Sequence, residues 1–277
     1  MCGKSREAGR EKESMVRIGF VQNSPAFGMK RENFRQVEEL LAGLRADLLV
    51  LPELFATGYT FASRQEVEDL AEQGEGETAE FLVRLAEKIN GIVVGGFVED
   101  GEGRYYNSAL MVSREGVIDV YRKIHLFNRE KVWFSPGDRS LAVHTLGGMK
   151  VGMMICFDWI FPETARTLAL MGAEVLAHPA NLVLPYCQNA MTTRCIENRL
   201  YAVTANRIGS ETRGEDSFSF TGASQITSPR GEALSSAASD RVCCNAEEID
   251  LETARNKRLN AFNDLLGDRR PEFYFRD

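Results

Sequence analysis

The sequence predicts an α/β protein with mixed β-sheets, folded as one domain. Strand-like apolar segments alternate with helical spacing in the first and third quarters, and hairpin-like pairs lie between them. The stretch Leu48-Leu49-Val50-Leu51 is continuously apolar, as a strand buried on both faces is. With 277 residues, 44% of them apolar and 26% charged, the chain can bury a sizeable core. The polar residues best placed for chemistry fall near 53, 123 and 156. A cut into two domains would separate them, so one domain is expected, with two layers of sheet and two of helix.

Residues 1–14 are almost all polar and carry no apolar periodicity, which predicts a disordered leader, with Met15 as an alternative start and the domain spanning 15–277. A strand is expected at 16–21, a turn at Asn23-Ser24-Pro25, and a helix at 31–44 with Phe34, Val37, Leu40 and Leu41 on its apolar stripe. The next strand, 47–51, is stopped by Pro52. A helix at 78–89 and a strand at 91–98 follow, then a strand pair at 105–112 and 117–121 turning at Arg114-Glu115-Gly116. The segment from there to Gly137 reads as irregular. A second pair, 141–145 and 150–155, turns at Gly147-Gly148 and leads to Cys156, after which Pro162 and Glu163 open a helix at 162–171. Strands at 175–181 and 201–206 flank a helix at 188–199. Residues 224–227 pair with the segment after Arg230-Gly231, 241–249 is the last strand, and 251–259 the last helix.

The net charge of −7 argues against nucleic acid or an anionic membrane as the main partner. No apolar run is long enough to span a bilayer and the N-terminal stretch lacks a secretory pattern, so a cytoplasmic protein is expected. Six cysteines form no C-x-x-C pair, and three histidines form no ligand cluster, so neither a disulfide framework nor a metal site is expected. Cys243 and Cys244 are neighbours in a strand, should face opposite sides, and receive no redox role.

Three segments share one design, an apolar strand followed by a polar residue at its carboxyl end. They place Glu53, Lys123 and Cys156, and a carboxylate, an ammonium and a thiol are the groups that can hydrolyse an amide without a metal. At the turn from strand to helix, a thiol projects from a rigid element beside free backbone N–H groups.

LPELFATGY at 51–59, YRKIHLF at 121–127 and GMMICFDWIFPE at 152–163 resemble the three signature blocks of the nitrilase superfamily of carbon–nitrogen hydrolases. HPAN at 178–181 and DRRPEFY at 268–274 add to the likeness, which runs from Val16 to the end and is strongest to members from thermophilic archaea. The resemblance implies a four-layer αββα sandwich with two mixed sheets that forms a homodimer, or a higher oligomer, by stacking sheets. It implies Cys156 as nucleophile, Glu53 as general base and Lys123 as oxyanion stabiliser. Glu130, seven residues after the lysine, is the candidate for the second glutamate that orients the amide or the water in amidases. Glu163 is expected to be structural.

On this reading Lys123 lowers the Cys156 thiol pKa, Glu53 takes its proton, and Lys123 with the Phe157 backbone N–H holds the charge that develops on the substrate. No cofactor is required. Tyr59, Trp159 and Asn181 are expected to line the substrate pocket, Trp133 and Phe134 to supply apolar walls, and His125 to be a supporting hydrogen-bond partner. Members acting on N-carbamoyl amino acids or dicarboxylic acid monoamides carry arginine soon after the nucleophile. Here Asp158, Trp159 and Ile160 stand there, favouring a small neutral or cationic amide, with Asp158 either pairing with an amine or capping the following helix. The expected activity is amidase, because of Glu130, with nitrilase as the alternative. Two further alternatives are a catalytically silent dimeric binding protein and a thiol redox sensor.

Overall fold

The computed structural model describes residues 14–274; the expected leader lies outside the described residues except for Ser14. Two six-stranded sheets dominate. The first has the order β14-β1-β2-β3-β4-β5, built from β1 (Met15–Gln22), β2 (Leu48–Val50), β3 (Ile92–Asp100), β4 (Tyr105–Ser113), β5 (Gly116–Arg122) and β14 (Cys243–Asp250). The second has the order β13-β12-β9-β8-β7-β6, from β6 (Val143–Leu146), β7 (Met149–Met153), β8 (Val175–Pro179), β9 (Tyr201–Ala205), β12 (Gln225–Thr227) and β13 (Ala233–Ser236). Each sheet is mixed in the same way: three parallel strands, β1-β2-β3 and β7-β8-β9, are flanked by antiparallel neighbours.

The period of two along the strands explains why the sheets stack. Ile18, Phe20, Leu48, Val50, Val94, Ala109 and Met111 share one buried cluster with Val151, Met153, Val175 and Ile226 of the other sheet. Their strand neighbours Val21, Leu49, Leu51, Val93, Leu110 and Val112 point the other way. They pack on Phe34 and Val37 of α1 (Lys30–Leu40) and on Phe81, Leu82 and Leu85 of α3 (Glu77–Ile89). On the far side, Leu168 of α5 (Pro162–Leu170) and Met191 of α6 (Cys187–Asn198) cover the second sheet. Every central strand is therefore buried on both faces, and the result is the expected αββα sandwich. Cys243 packs with the inner cluster and Cys244 with the outer one, as strand alternation requires.

Several elements differ from expectation. The helix α2 (Arg64–Leu70) was not anticipated, although Ser63 and Glu66 carry its signal: the Ser63 side chain accepts from the Glu66 N–H, and Glu66 reaches back to the Ala62 N–H. A short helix, α4 (Glu130–Trp133), stands inside the segment read as irregular, and a polar hairpin, β10 (Ser210–Arg213) with β11 (Asp216–Ser219), lies outside both sheets. The last helix, α7, covers only Leu251–Arg255. Beyond it Lys257 leaves the helical path, donating to the Asn198 and Arg199 carbonyls at the end of α6.

Candidate active site

The site forms where β2, β5 and β7 end. Glu53 follows β2 by three residues, and its loop lies against β3. Gly96 makes this possible, since a Cβ there would stand 2.4 Å from Leu54 N and 2.7 Å from Glu53 Cα. Lys123 follows β5 directly; its N–H donates to Asn107 O (2.9 Å) and its carbonyl accepts from Gly137 N (2.8 Å). Cys156 opens a 3-10 turn, Cys156–Ile160, three residues after β7, with φ of 40°. That left-handed conformation is strained for a residue with a side chain, so the surroundings must enforce it.

Two buried groups do so. The Asp158 carboxylate accepts from Ile155 N (2.8 Å) and Tyr121 OH (2.7 Å) through Oδ2, and from His125 N (3.2 Å) through Oδ1, which also contacts His125 Nδ1 (2.8 Å). Asp158 thus caps the 3-10 turn that carries Cys156. Its oxygens are fully engaged, which removes the expected option of pairing with a substrate amine. His125 serves Asp158 and stacks on Phe161. The second group is His178, whose Nε2 lies 3.0 Å from Cys156 O and whose Nδ1 lies 3.1 Å from Thr204 Oγ1. A carbonyl only accepts, so the hydrogen-bond network assigns the proton to Nε2. Burial pushes the His178 pKa down to about 4, keeping the ring neutral.

Lys123 is fully buried, and its Nζ donates to Glu53 Oε1 and Glu130 Oε1, each at 2.7 Å. Glu53 Oε1 accepts a second bond from Asn107 Nδ2 (2.7 Å), while among the described residues Glu53 Oε2 has no hydrogen-bond partner. Glu130 Oε1 also accepts from Tyr59 OH (2.6 Å), and Oε2 accepts from Phe127 N (3.1 Å). The Tyr59 hydroxyl is therefore directed at Glu130. Its backbone N–H and that of Thr60 are held by Glu211 of the outlying hairpin, itself paired with buried Arg207.

Burial acts on Lys123, Glu130 and Cys156 alike. It would strip the proton from Lys123, but the Glu130 and Glu53 carboxylates outweigh it and hold the ammonium charged. It pushes the Glu130 carboxyl up, and Lys123 pulls against it. The Cys156 thiol is driven well above its ordinary range by burial first and Glu53 second, with Lys123 pulling it down by less. Lys123 lowers the thiol as expected, but burial and Glu53 outweigh it, so the thiol rests neutral.

A narrow pocket opens on Cys156, walled by Phe127, Phe157, Trp159, Leu182, Val183 and Leu184. Asn181 is its polar lining residue; it is 2% exposed, and neither side-chain amide atom has a partner among the described residues. Trp133 and Phe134 line a different pocket, beside Tyr59 and Glu130, so among the expected aromatic walls only Trp159 borders Cys156. Among the described residues no group of three or more His, Cys, Asp or Glu side chains could hold a metal ion, and no helix is long and apolar enough to cross a membrane.

Sequence reading missed Asn107, Tyr121, His178 and Glu211 as contributors. The available signal for Asn107 and His178 is a polar residue inside an otherwise apolar strand, which must find a partner when buried.

The chain is 49% identical over 266 residues to "Nitrilase" of Pyrococcus abyssi, covering 95% of this chain and 100% of that one. It is 38% identical over 227 residues to an (R)-stereoselective amidase of a Pseudomonas species, covering 81% and 80%. The crystal structure of a carbon–nitrogen hydrolase from Helicobacter pylori G27 superposes with a TM-score of 0.85 at 28% identity, covering 95% of this chain and 97% of the other. Residues 17–258 match the carbon–nitrogen hydrolase family, and with these likenesses the chain belongs to that family, a member of the nitrilase superfamily.

Proposed function

We propose that this hydrolase cleaves the C–N bond of a small, neutral, aliphatic amide through a thioester on Cys156. One observation carries the reading: a buried thiol lies within electrostatic reach of a buried carboxylate that keeps one oxygen unpartnered and of a buried ammonium with one N–H to spare. As Sγ attacks the carbonyl carbon, its proton passes to Glu53 Oε2. The negative charge that appears on the carbonyl oxygen is met by the third N–H of Lys123 and the Phe157 backbone N–H. The tetrahedral intermediate collapses, the C–N bond breaks, and Glu53 returns the proton to the departing ammonia. A water then gives its proton to Glu53 and attacks the thioester, releasing the acid and the thiol.

Glu130 accepts three hydrogen bonds, which leaves one lone pair of Oε2 for an N–H of the substrate. The walls around Cys156 offer Asn181 as their polar group and carry no charged side chain. This supports a neutral substrate over a cationic one. The name of the archaeal relative favours a second reading, conversion of a nitrile to acid and ammonia with the same residues. We read the working form as a homodimer; Leu170, Met171 and Ile196, at the end of α5 and on α6, are exposed apolar residues available to such a contact. The free cysteines among the described residues fit a reducing, cytoplasmic compartment.

The test is ammonia release from short aliphatic amides and nitriles by the wild type and Cys156→Ala, with intact-mass detection of the acyl adduct. Amide turnover with an adduct only in the wild type is expected. Turnover restricted to nitriles transfers the assignment to the second reading, and turnover retained by Cys156→Ala refutes the thioester.

A further inference from the structure

We infer that Asn107 is a positioning residue that divides the two oxygens of Glu53, anchoring Oε1 and reserving Oε2 for the proton of Cys156. The inference rests on the reading of Glu53 as the general base. Asn107 is fully buried in β4, where Ala109, Leu110, Met111 and Val112 are buried apolar residues. Nothing in strand formation asks for an amide there. Its side chain is spent on the site instead: Nδ2 donates to Glu53 Oε1 at 2.7 Å, and its backbone carbonyl accepts the Lys123 N–H at 2.9 Å. One residue therefore touches both the carboxylate and the backbone that delivers the ammonium.

The orientation of the amide is forced. Turned over, Asn107 would face an acceptor-only carboxylate with its own Oδ1, two acceptors without a proton between them. With Lys123 Nζ at 2.7 Å as the second donor, Oε1 has both lone pairs engaged, while Oε2 has no partner among the described residues. Without Asn107 the carboxylate would hang on one ammonium alone. It could rotate and offer either oxygen to Lys123, so the acceptor facing the thiol would no longer be fixed. Removing a donor from a carboxylate also favours its protonated form, and a protonated Glu53 cannot act as base. The charged and titratable groups around Glu53 are Lys123 after β5, Glu130 on α4, Cys156 on the 3-10 turn, and Tyr59 on its own loop. Asn107 is its neutral donor.

The experiment compares full-length wild type, Asn107→Leu and Asn107→Asp. Asn107→Leu keeps the volume and loses the donor; Asn107→Asp keeps the shape and sets a second carboxylate against Glu53. Kcat and KM are measured across pH with an amide that the wild type hydrolyses, and Cys156 is separately alkylated with iodoacetamide. Asn107→Leu is expected to lower kcat at least tenfold with KM within about twofold, and to move the acid limb of kcat to higher pH. Asn107→Asp is expected to move the limb further, because like charges favour protonation. A structural filler does not produce this order of limbs. Wild-type limbs in both variants, or a loss confined to KM, overturn the inference. Should Asn107→Leu fail to fold, the limb of Asn107→Asp decides it. If the wild type turns over neither amide nor nitrile, the hydrolase reading fails by itself. The alkylation rate then decides, with a tenfold slowing in Asn107→Leu expected and an unchanged rate refuting the role of Asn107.

Discussion

Replacing Lys123 by methionine keeps most of the side-chain volume and removes the charge that two buried carboxylates share. Lys123 and Glu53 are fully buried and Glu130 is 4% exposed, so solvent cannot take the place of the ammonium. Breaking a buried pair by deleting one partner costs about 3–5 kcal/mol. For a protein of this size each kcal/mol moves the melting midpoint by about 2–4 °C, so a drop of roughly 6–20 °C is expected. The pH dependence gives a sharper signature. Burial already pushes the Glu130 carboxyl up, and deleting Lys123 removes the main pull against that shift. A carboxyl raised in the folded state contributes stability that is fully present below about pH 4.3, its unfolded value, and is lost as pH rises through the folded value. Lys123→Met should therefore become less stable from pH 5 to pH 8. In the wild type the raised Lys123 pKa keeps its contribution intact over that window, since it is lost only above the unfolded lysine value of about 10.4. Thermal unfolding followed by circular dichroism at several pH values measures both effects. The triple variant Lys123→Met, Glu53→Gln, Glu130→Gln should recover much of the loss, because no unpaired charge remains. A single variant that melts with the wild type and shows no added pH dependence would refute the claim that this cluster is dry and charge-coupled.

His178, held at about 4 against about 6.5 when unfolded, contributes stability above pH 6.5 that is lost as pH falls towards 4, at most about 3 kcal/mol. Urea unfolding of the wild type and His178→Gln at pH 4.5 and 7 should show a smaller pH effect in the variant, and equal effects would contradict the assignment. Tyr59→Phe removes one charge-assisted hydrogen bond to Glu130, worth about 1.5–3 kcal/mol, and steady-state kinetics should show kcat/KM falling at least tenfold, while an unchanged value would release Tyr59 from the site. Gly96→Ala drives a methyl group into the Glu53 backbone, at a cost of about 1–3 kcal/mol of stability. Its kcat should fall by more than that loss explains at a temperature where the variant is fully folded, and full activity there would contradict the close approach.

The layers were legible because burial on two faces leaves a plain mark: Ile18, Phe20, Leu48 and Val50 serve the inter-sheet core while Leu49, Leu51 and Val21 serve the helices. Glu53, Lys123 and Cys156 were legible because each interrupts or follows an apolar strand, and the structure sets Lys123 between Glu53 and Glu130. The hairpin at Ser210–Ser219 was not legible, since its strands are mostly polar and gain their place from Glu211 reaching Tyr59 and Thr60 and from Phe218 packing edge-on against Tyr59. Asn107 and His178 escaped for a related reason. A polar residue within a strand shows that a partner is needed, but its identity depends on which strands become neighbours. The direction of the Cys156 shift also required three dimensions, because burial, which spacing does not show, joins Glu53 in outweighing Lys123.

That shift bears on how a dry site can host ionic chemistry. A resting thiolate beside Glu53 and Glu130 would add a third negative charge to a pocket with one ammonium, and low polarity makes such an excess costly. Proton transfer timed with attack avoids it. On the proposed mechanism, as sulfur bonds to carbon the thiol proton neutralises Glu53 and the negative charge reappears on the substrate oxygen, so the number of charges in the site stays constant. Lys123, already fixed by the two carboxylates, neighbours the charge both before and after the step and has little reorganisation to undergo. A raised thiol pKa is thus compatible with the proposed role of Cys156: on that mechanism it keeps the sulfur neutral until a carbonyl is present to receive the charge.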